Sequence, residues 1–152
     1  MKKKIAILGA TSHIAKGLIL NFMQSKEDGL FLFARFPKKV KDFLEANSLG
    51  SNRRIYEFKH FQREKYDVII NCVGIGTPNT LKEQIASILR ITEEYDNMVM
   101  AYLSKFTHAC YINFSSGAVY GGSFSESVKD DSICQLSVNN IRPQDYYGIA
   151  KI

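Results

Sequence analysis

Lys3 to Gly9, KKIAILG, is a short apolar run closed by a glycine, and apolar residues then return at helical spacing as Ile14, Leu18 and Phe22. A strand, a tight turn and a helix in that order begin a βα alternation, and the rest of the chain keeps to it. Gly29 to Arg35 (GLFLFAR) reads as a second strand stopped by Pro37, and Lys38 to Ala46 as a surface helix that turns Val40, Phe43 and Leu44 inward. Arg54 to Phe58 (RIYEF) and Tyr66 to Gly74 (YDVIINCVG) are the third and fourth strands. Lys59 to Lys65 lies between them and is shorter than the ~10–12 residues of a crossover helix, so a single turn or a loop is expected there. Thr80 to Ser104 has a helical pattern in two pieces, Leu81 to Leu89 and Glu93 to Leu103, with Thr92 as a cap ahead of two acids. Met98, Met100 and Leu103 are expected in the core or at a subunit contact, and Ala109 to Phe114 (ACYINF) is the fifth strand. The class implied is α/β: a Rossmann-type, doubly wound, mostly parallel sheet of about five strands.

Composition narrows the functional classes. With 45% hydrophobic and 23% charged residues over 152, the chain matches an ordinary globular domain with a real core. No apolar run approaches the ~18–20 residues that span a bilayer, and Lys2 to Lys4 precede too few apolar residues for a signal peptide, which makes the cytoplasm the expected compartment. Cys72, Cys110 and Cys134 have no metal-ligand spacing and read as reduced thiols in or near the core. The net charge of +5 comes partly from Lys2 to Lys4, from Lys38, Lys39 and Lys41, and from Arg53 with Arg54. These clusters lack interleaved aromatics, so they read as solvated surface, with no nucleic acid and no membrane as partner.

Two stretches carry candidate chemistry. The first is the opening turn, GATSHIA, where Gly9, Thr11, Ser12, His13 and Ile14 stand at the start of a helix whose amides and dipole favour a pyrophosphate. Set against a GxxGxxG loop, which the segment resembles, Ser12 and Ala15 stand in the second and third glycine places, and the Ser12 side chain narrows the space there while offering a hydroxyl. A plain structural turn remains an equal reading of this loop alone. Arg35, at the end of the second strand with Lys38 and Lys39 close behind, suits a 2′-phosphate and hence NADP, with NAD as the alternative if Arg35 is merely solvated. The second stretch runs from INFSSGAVYG to YYGIAK: Tyr147 and Lys151 are four residues apart, on one face if the segment is helical, and Ser116 comes after the fifth strand. A phenol titrates near ~10, and an adjacent ammonium favours its ionised form, so such a pair can exchange a proton near neutrality. A Tyr and a Lys at this spacing also occur as an ordinary exposed helix pair.

In combination these segments resemble the short-chain dehydrogenase/reductase superfamily, and within it the extended, nucleotide-sugar epimerase/dehydratase branch. SSGAVYG is similar to that branch's strand-end motif, with Ser116 four residues before Tyr120, and RPQDYYGIAK is similar to its PxxxYGxSK stretch from Pro143 through Tyr147 to Lys151. NCVG, Asn71 to Gly74, resembles an NxAG strand end, which assigns Val73 and Gly74 to the cofactor wall. The resemblance implies an NAD(P)-dependent oxidoreductase or epimerase acting on a nucleotide-linked sugar. In that reading Tyr147 is the acid/base, Ser116 orients the sugar hydroxyl, and Lys151 holds the nicotinamide ribose and lowers the phenol's pKa. Gly117 and Ala118 stand where dehydratases of the branch keep an acidic pair, which argues against dehydration. His60 or Phe61 stands near the place of an adenine-binding Asp, and Asn97 at the place of a structural Asn. The polar segment Gly121 to Asn140 corresponds to a region that arches near the substrate. The resemblance covers only the front part of a family member. The expectation is therefore one NAD(P)-binding domain, residues 1–152, that lacks the substrate-binding part, is inactive by itself, and could pair as a homodimer through the catalytic-helix face. The competing expectation is a non-catalytic NAD(P)-binding sensor.

Overall fold

Five short strands form one parallel sheet in the order β3-β2-β1-β4-β5. They are β1 (Lys4–Leu8), β2 (Gly29–Phe33), β3 (Arg54–Tyr56), β4 (Val68–Asn71) and β5 (Cys110–Asn113). Helix α1 (His13–Ser25) joins β1 to β2, α2 (Pro37–Ala46) joins β2 to β3, and α3 (Pro78–Leu103) joins β4 to β5. A 3₁₀ turn, Phe58–Arg63, is all that joins β3 to β4, as the short connection requires. The computed structural model describes residues 3–25, 29–50, 54–75, 78–120, 127–133, 138–143 and 145–152, with the backbone alone at 78–86. Lys2, Arg53, Cys134, Gln144 and much of the expected arch between Gly121 and Asn140 lie outside the described residues.

The chain forms two compact units. Met1–Val73 with Tyr95–Asn113 is the first and holds the whole sheet; Gly74–Glu94 with Phe114–Ile152 is the second. In the first, side chains alternate across each strand, as the pleat demands. Ala6, Leu8, Phe31, Phe33 and Ile69 form one face and pack with Phe61, Tyr66, Val99 and Tyr102. Ile5, Ile7, Leu32 and Ile70 point the other way, and they are buried too. A parallel sheet buried on both faces reads as continuous apolar strands, which is why β1 and β4 were legible as KIAIL and VIIN.

An aromatic plug replaces the missing crossover helix. Phe61 stacks on Tyr66 with centroids 5.4 Å apart, and Phe33 meets Phe61 edge-on at 5.5 Å. The Tyr66 hydroxyl donates to the Phe61 carbonyl at 2.8 Å, while the Tyr102 hydroxyl accepts the Tyr66 amide at 2.7 Å and donates to the Glu64 carbonyl at 3.1 Å. The 3₁₀ turn is thus closed by side chains from the segment just before β4 and from α3, and burial pushes the Tyr66 phenol above its ordinary pKa.

Several expectations change. In α1 the buried stripe is Ala15 and Ile19, one position on from the expected Ile14, which stands 51% exposed. The 78–103 segment is one continuous helix of 26 residues, so Thr92 is interior and caps nothing. Met98 and Leu103 pack against the core as expected, whereas Met100 is exposed. Cys72 is half-buried, and Cys110 is exposed on β5, as are Ile112 and Asn113. Among the described residues no helix is long and apolar enough to cross a membrane.

In the second unit, a 3₁₀ turn at Gly117–Tyr120 comes after the strand end, another lies at Val138–Asn140, and α4 (Asp145–Ile149) comes last.

Candidate functional site

In the first unit the chain order reverses between β1 and β4, and the two strand ends meet there. That reversal is where open α/β sheets hold ligands. Gly9 has φ +74, and a Cβ on it would lie 2.9 Å from the Cys72 carbonyl and the Val73 amide. Glycine is required here twice over, by the positive φ and by the backbone of β4 passing alongside. Its missing side chain therefore serves the closure of β1 onto the β4 end, and Gly9 and Val73 are brought together by that closure.

Ser12 comes next, and the structure gives it a definite task. Its Oγ accepts the Ala15 amide at 3.2 Å while its carbonyl accepts the Lys16 amide at 3.0 Å, the geometry of an N-cap on α1. The cap uses the hydroxyl as an acceptor and leaves its proton available to another group. With Ala15 and Lys16 supplied, the amides of His13 and Ile14 in the first turn are those a helix offers to an outside acceptor. No acidic residue stands in that turn, and Thr11, His13 and Ile14 are exposed around it. The donor set fits the pyrophosphate of a dinucleotide.

Arg35 lies exposed just beyond β2. Lys38 is bound to Asp42 at 3.1 Å, and Lys39 lies over the Phe36 ring at 5.3 Å. Of the three cations grouped by the sequence, Lys38 is thus committed within its own helix. Phe61 is buried in the core, so it does not take the place of the adenine-binding Asp; His60 is half-buried with its ring edge toward Tyr56.

A network that the sequence reading passed over fixes the β4 end. Asp96 Oδ1, on α3, accepts from the Tyr111 hydroxyl at 2.5 Å, from Asn71 Nδ2 at 3.2 Å and from Asn113 Nδ2 at 3.5 Å. Asn71 Nδ2 also donates to the Tyr111 hydroxyl at 3.0 Å, and its Oδ1 accepts the Val73 amide at 3.0 Å. Asn71 is 4% exposed, so each of these bonds replaces water it has lost. Burial, then the Asp96 carboxylate, raises the Tyr111 phenol above its ordinary pKa. Asp96 does what was expected of Asn97, which is exposed. The missed signal was a polar side chain at the end of an otherwise apolar strand, Asn71, with a Tyr and an Asn on the next strand at matching register.

In the second unit, Ser116 begins the Gly117–Tyr120 turn, its Oγ accepting the Ala118 amide at 3.3 Å and its carbonyl the Val119 amide at 3.1 Å. Helix α4 packs against this turn at one point. A Cβ on Gly148 would sit 2.6 Å from the Ala118 carbonyl, so only glycine allows the approach. Asp145 opens the helix by accepting the Arg142 amide at 2.8 Å and its guanidinium at 3.3 Å, contacts that hold its carboxyl below the ordinary range. Tyr147 is half-buried on α4. Lys151 lies past the helix end, not within it: its amide bonds to the Gly148 carbonyl at 3.0 Å, a tightened last turn. Its Nζ donates to the Phe114 carbonyl at 3.2 Å, and a Cβ on Gly74 would lie 3.5 Å from that Nζ. Lys151 and Gly74 are therefore neighbours, and Lys151 is joined to the loop that carries Ser116.

Residues 5–152 match the profile of the NAD dependent epimerase/dehydratase family. The chain belongs to that family. Its fold is also found in solved structures. The UDP-Glc/GlcNAc 4-epimerase of Campylobacter jejuni superposes with a TM-score of 0.74 at 18% identity, over 98% of this chain and 46% of its own. The PbgP3 protein of Burkholderia pseudomallei gives 0.75 at 20%, over 99% and 46%. The ADP-L-glycero-D-manno-heptose-6-epimerase of Helicobacter pylori gives 0.71 at 14%, over 99% and 48%. The chain thus spans about half the length of these relatives. No curated protein matches it.

Proposed function

We propose that this chain is the NAD(P)-binding part of an epimerase or reductase acting on a nucleotide-linked sugar, with Ser116, Tyr147 and Lys151 as its catalytic residues. One observation carries the reading. The loop holding Ser116 and the segment holding Tyr147 and Lys151 are far apart in sequence, yet Ser115 Oγ bonds the Lys151 carbonyl at 2.9 Å and Gly148 seats α4 on the Ala118 carbonyl. Chance surface residues have no reason to be held by a glycine contact and a backbone-directed hydroxyl.

The nicotinamide of the cofactor, when bound, accepts or returns a hydride. The residues do the rest. Tyr147 takes the proton from the sugar hydroxyl, Ser116 orients that hydroxyl, and Lys151 holds a ribose hydroxyl and favours the phenolate by its charge. Gly9, Thr11, Ser12, His13, Ile14, Val73 and Gly74 surround the dinucleotide, and the amides of His13 and Ile14 take its phosphates. Arg35 takes a 2′-phosphate, so NADP is preferred to NAD. Gly117 and Ala118 leave no acid for dehydration. We place the protein in the cytoplasm and propose that it pairs through the α4 face.

Titration with NADPH and NADH, monitored by nicotinamide fluorescence, tests the reading. Saturable binding that is tighter for NADPH, with the preference reduced about tenfold by Arg35→Ala, supports it. In a form that turns over pooled nucleotide sugars, Tyr147→Phe lowers the rate by about 10²–10⁴ while Lys41→Ala leaves it unchanged. Equal cofactor binding with no turnover in any form would make the protein a sensor.

A further inference from the structure

We propose that Ser115, the neighbour of the serine assigned to the reaction, is a positioning residue for Lys151, and that the Phe114 carbonyl and the bare α-carbon of Gly74 complete a seat for that lysine. The proposal deepens the reading of Lys151 as a functional group and rests on it. Ser115 Oγ donates to the Lys151 carbonyl at 2.9 Å, which fixes the backbone of a residue lying beyond the end of a five-residue helix. Lys151 Nζ then reaches back to the Phe114 carbonyl at 3.2 Å, one residue before Ser115. Two consecutive residues therefore grip one lysine at both ends, by its carbonyl and by its ammonium.

Gly74 supplies the third element. A methyl on it would already touch the ammonium at 3.5 Å, and a branched side chain would displace it. The bare α-carbon thus leaves open space beside the ammonium, which a bulkier residue would take. Ser115 itself is exposed, so its hydroxyl competes with water and adds little to the stability of the fold. Its effect is directional, setting where the amine points.

The test reads the amine directly. Limited acetylation with acetic anhydride, quantified by mass spectrometry, gives the reactivity of Lys151 relative to Lys129, which is exposed. In Ser115→Ala this ratio rises about fivefold, the factor one ordinary hydrogen bond is worth, with no change in thermal midpoint. Ser115→Thr, which keeps the hydroxyl, restores the wild-type ratio, and a role confined to folding would not give that rescue. Gly74→Val raises the ratio by displacing the ammonium, and decides the matter if Ser115→Ala does not fold. An unchanged ratio in a folded Ser115→Ala or Gly74→Val protein overturns the proposal. No cofactor enters this measurement. A chain that fails to bind NADPH while its Lys151 ratio responds refutes the proposed function and leaves the seat standing. A chain that binds NADPH with an unresponsive ratio does the reverse.

Discussion

The turn after β1 and the loop after β5 both end parallel strands in this chain, but they are held in different ways. At the first, backbone closes on backbone: Gly9 lies against the Cys72 carbonyl, and Asn71, Tyr111 and Asp96 pin the adjoining strand end with buried hydrogen bonds. At the second, a few contacts do the work, namely one exposed hydroxyl on one carbonyl, one part-buried ammonium on another, and one buried glycine against a turn. The first is part of the core and stands whether or not anything binds. The second can be altered with little loss of stability, so changes there should be felt in binding before they are felt in folding.

Gly9→Ala attacks the rigid side hardest. It combines a positive φ with a contact of 2.9 Å to backbone that cannot move aside, and should cost about 3 kcal/mol or more in urea unfolding. A loss below about 1 kcal/mol would mean that the two strand ends do not close as described. Asp96→Ala comes next. It removes the acceptor of the Tyr111 hydroxyl proton and one of the two acceptors of the Asn71 amide, and should cost about 2 kcal/mol by the same assay, whereas Asn97→Ala, at an exposed position, should change stability by less than about 0.5 kcal/mol.

Gly148→Ala probes the other side. Helix propensity gains about 1 kcal/mol from the exchange, offsetting the lost contact with Ala118, so the thermal midpoint should hardly move. NADPH affinity should fall about tenfold because α4 can no longer dock. Equal losses of stability and affinity would erase the distinction between the two regions.

The smallest effect concerns pH. Tyr111 keeps its proton in the folded chain well above the value near ~10 at which an unfolded tyrosine loses it. Above pH ~10 the unfolded state therefore binds fewer protons than the folded one, and stability falls as pH rises. Tyr66 acts in the same sense. Urea unfolding at pH 8 and pH 11 should show a shallower decline for Tyr111→Phe than for wild type. The gap should stay below the ~1.4 kcal/mol per pH unit of a fully shielded group, because Tyr111 is partly exposed.

The sheet was legible because each strand is a short apolar run between breakers, and the short link before β4 ruled out a helix there. The α1 face was misread by one position: Ile14 is the more apolar residue, but small Ala15 is what fits against the sheet beside Ile19. The Asn71–Asp96–Tyr111 network stayed hidden because its members are 15 to 40 positions apart and none is unusual alone. Ser115 and Gly148 stood inside the very motifs that drew notice to Ser116, Tyr147 and Lys151. Their roles depend on which carbonyls face them, and that is settled only once the chain is folded.

The central claim is that the first turn of α1 takes the phosphates of a bound dinucleotide. Amide resonances of the ¹⁵N-labelled chain, recorded as NADPH is added, test it most directly. The account predicts saturable shifts at His13 and Ile14 with one common dissociation constant. Shifts confined to other residues, or none at all at saturating NADPH, would contradict it.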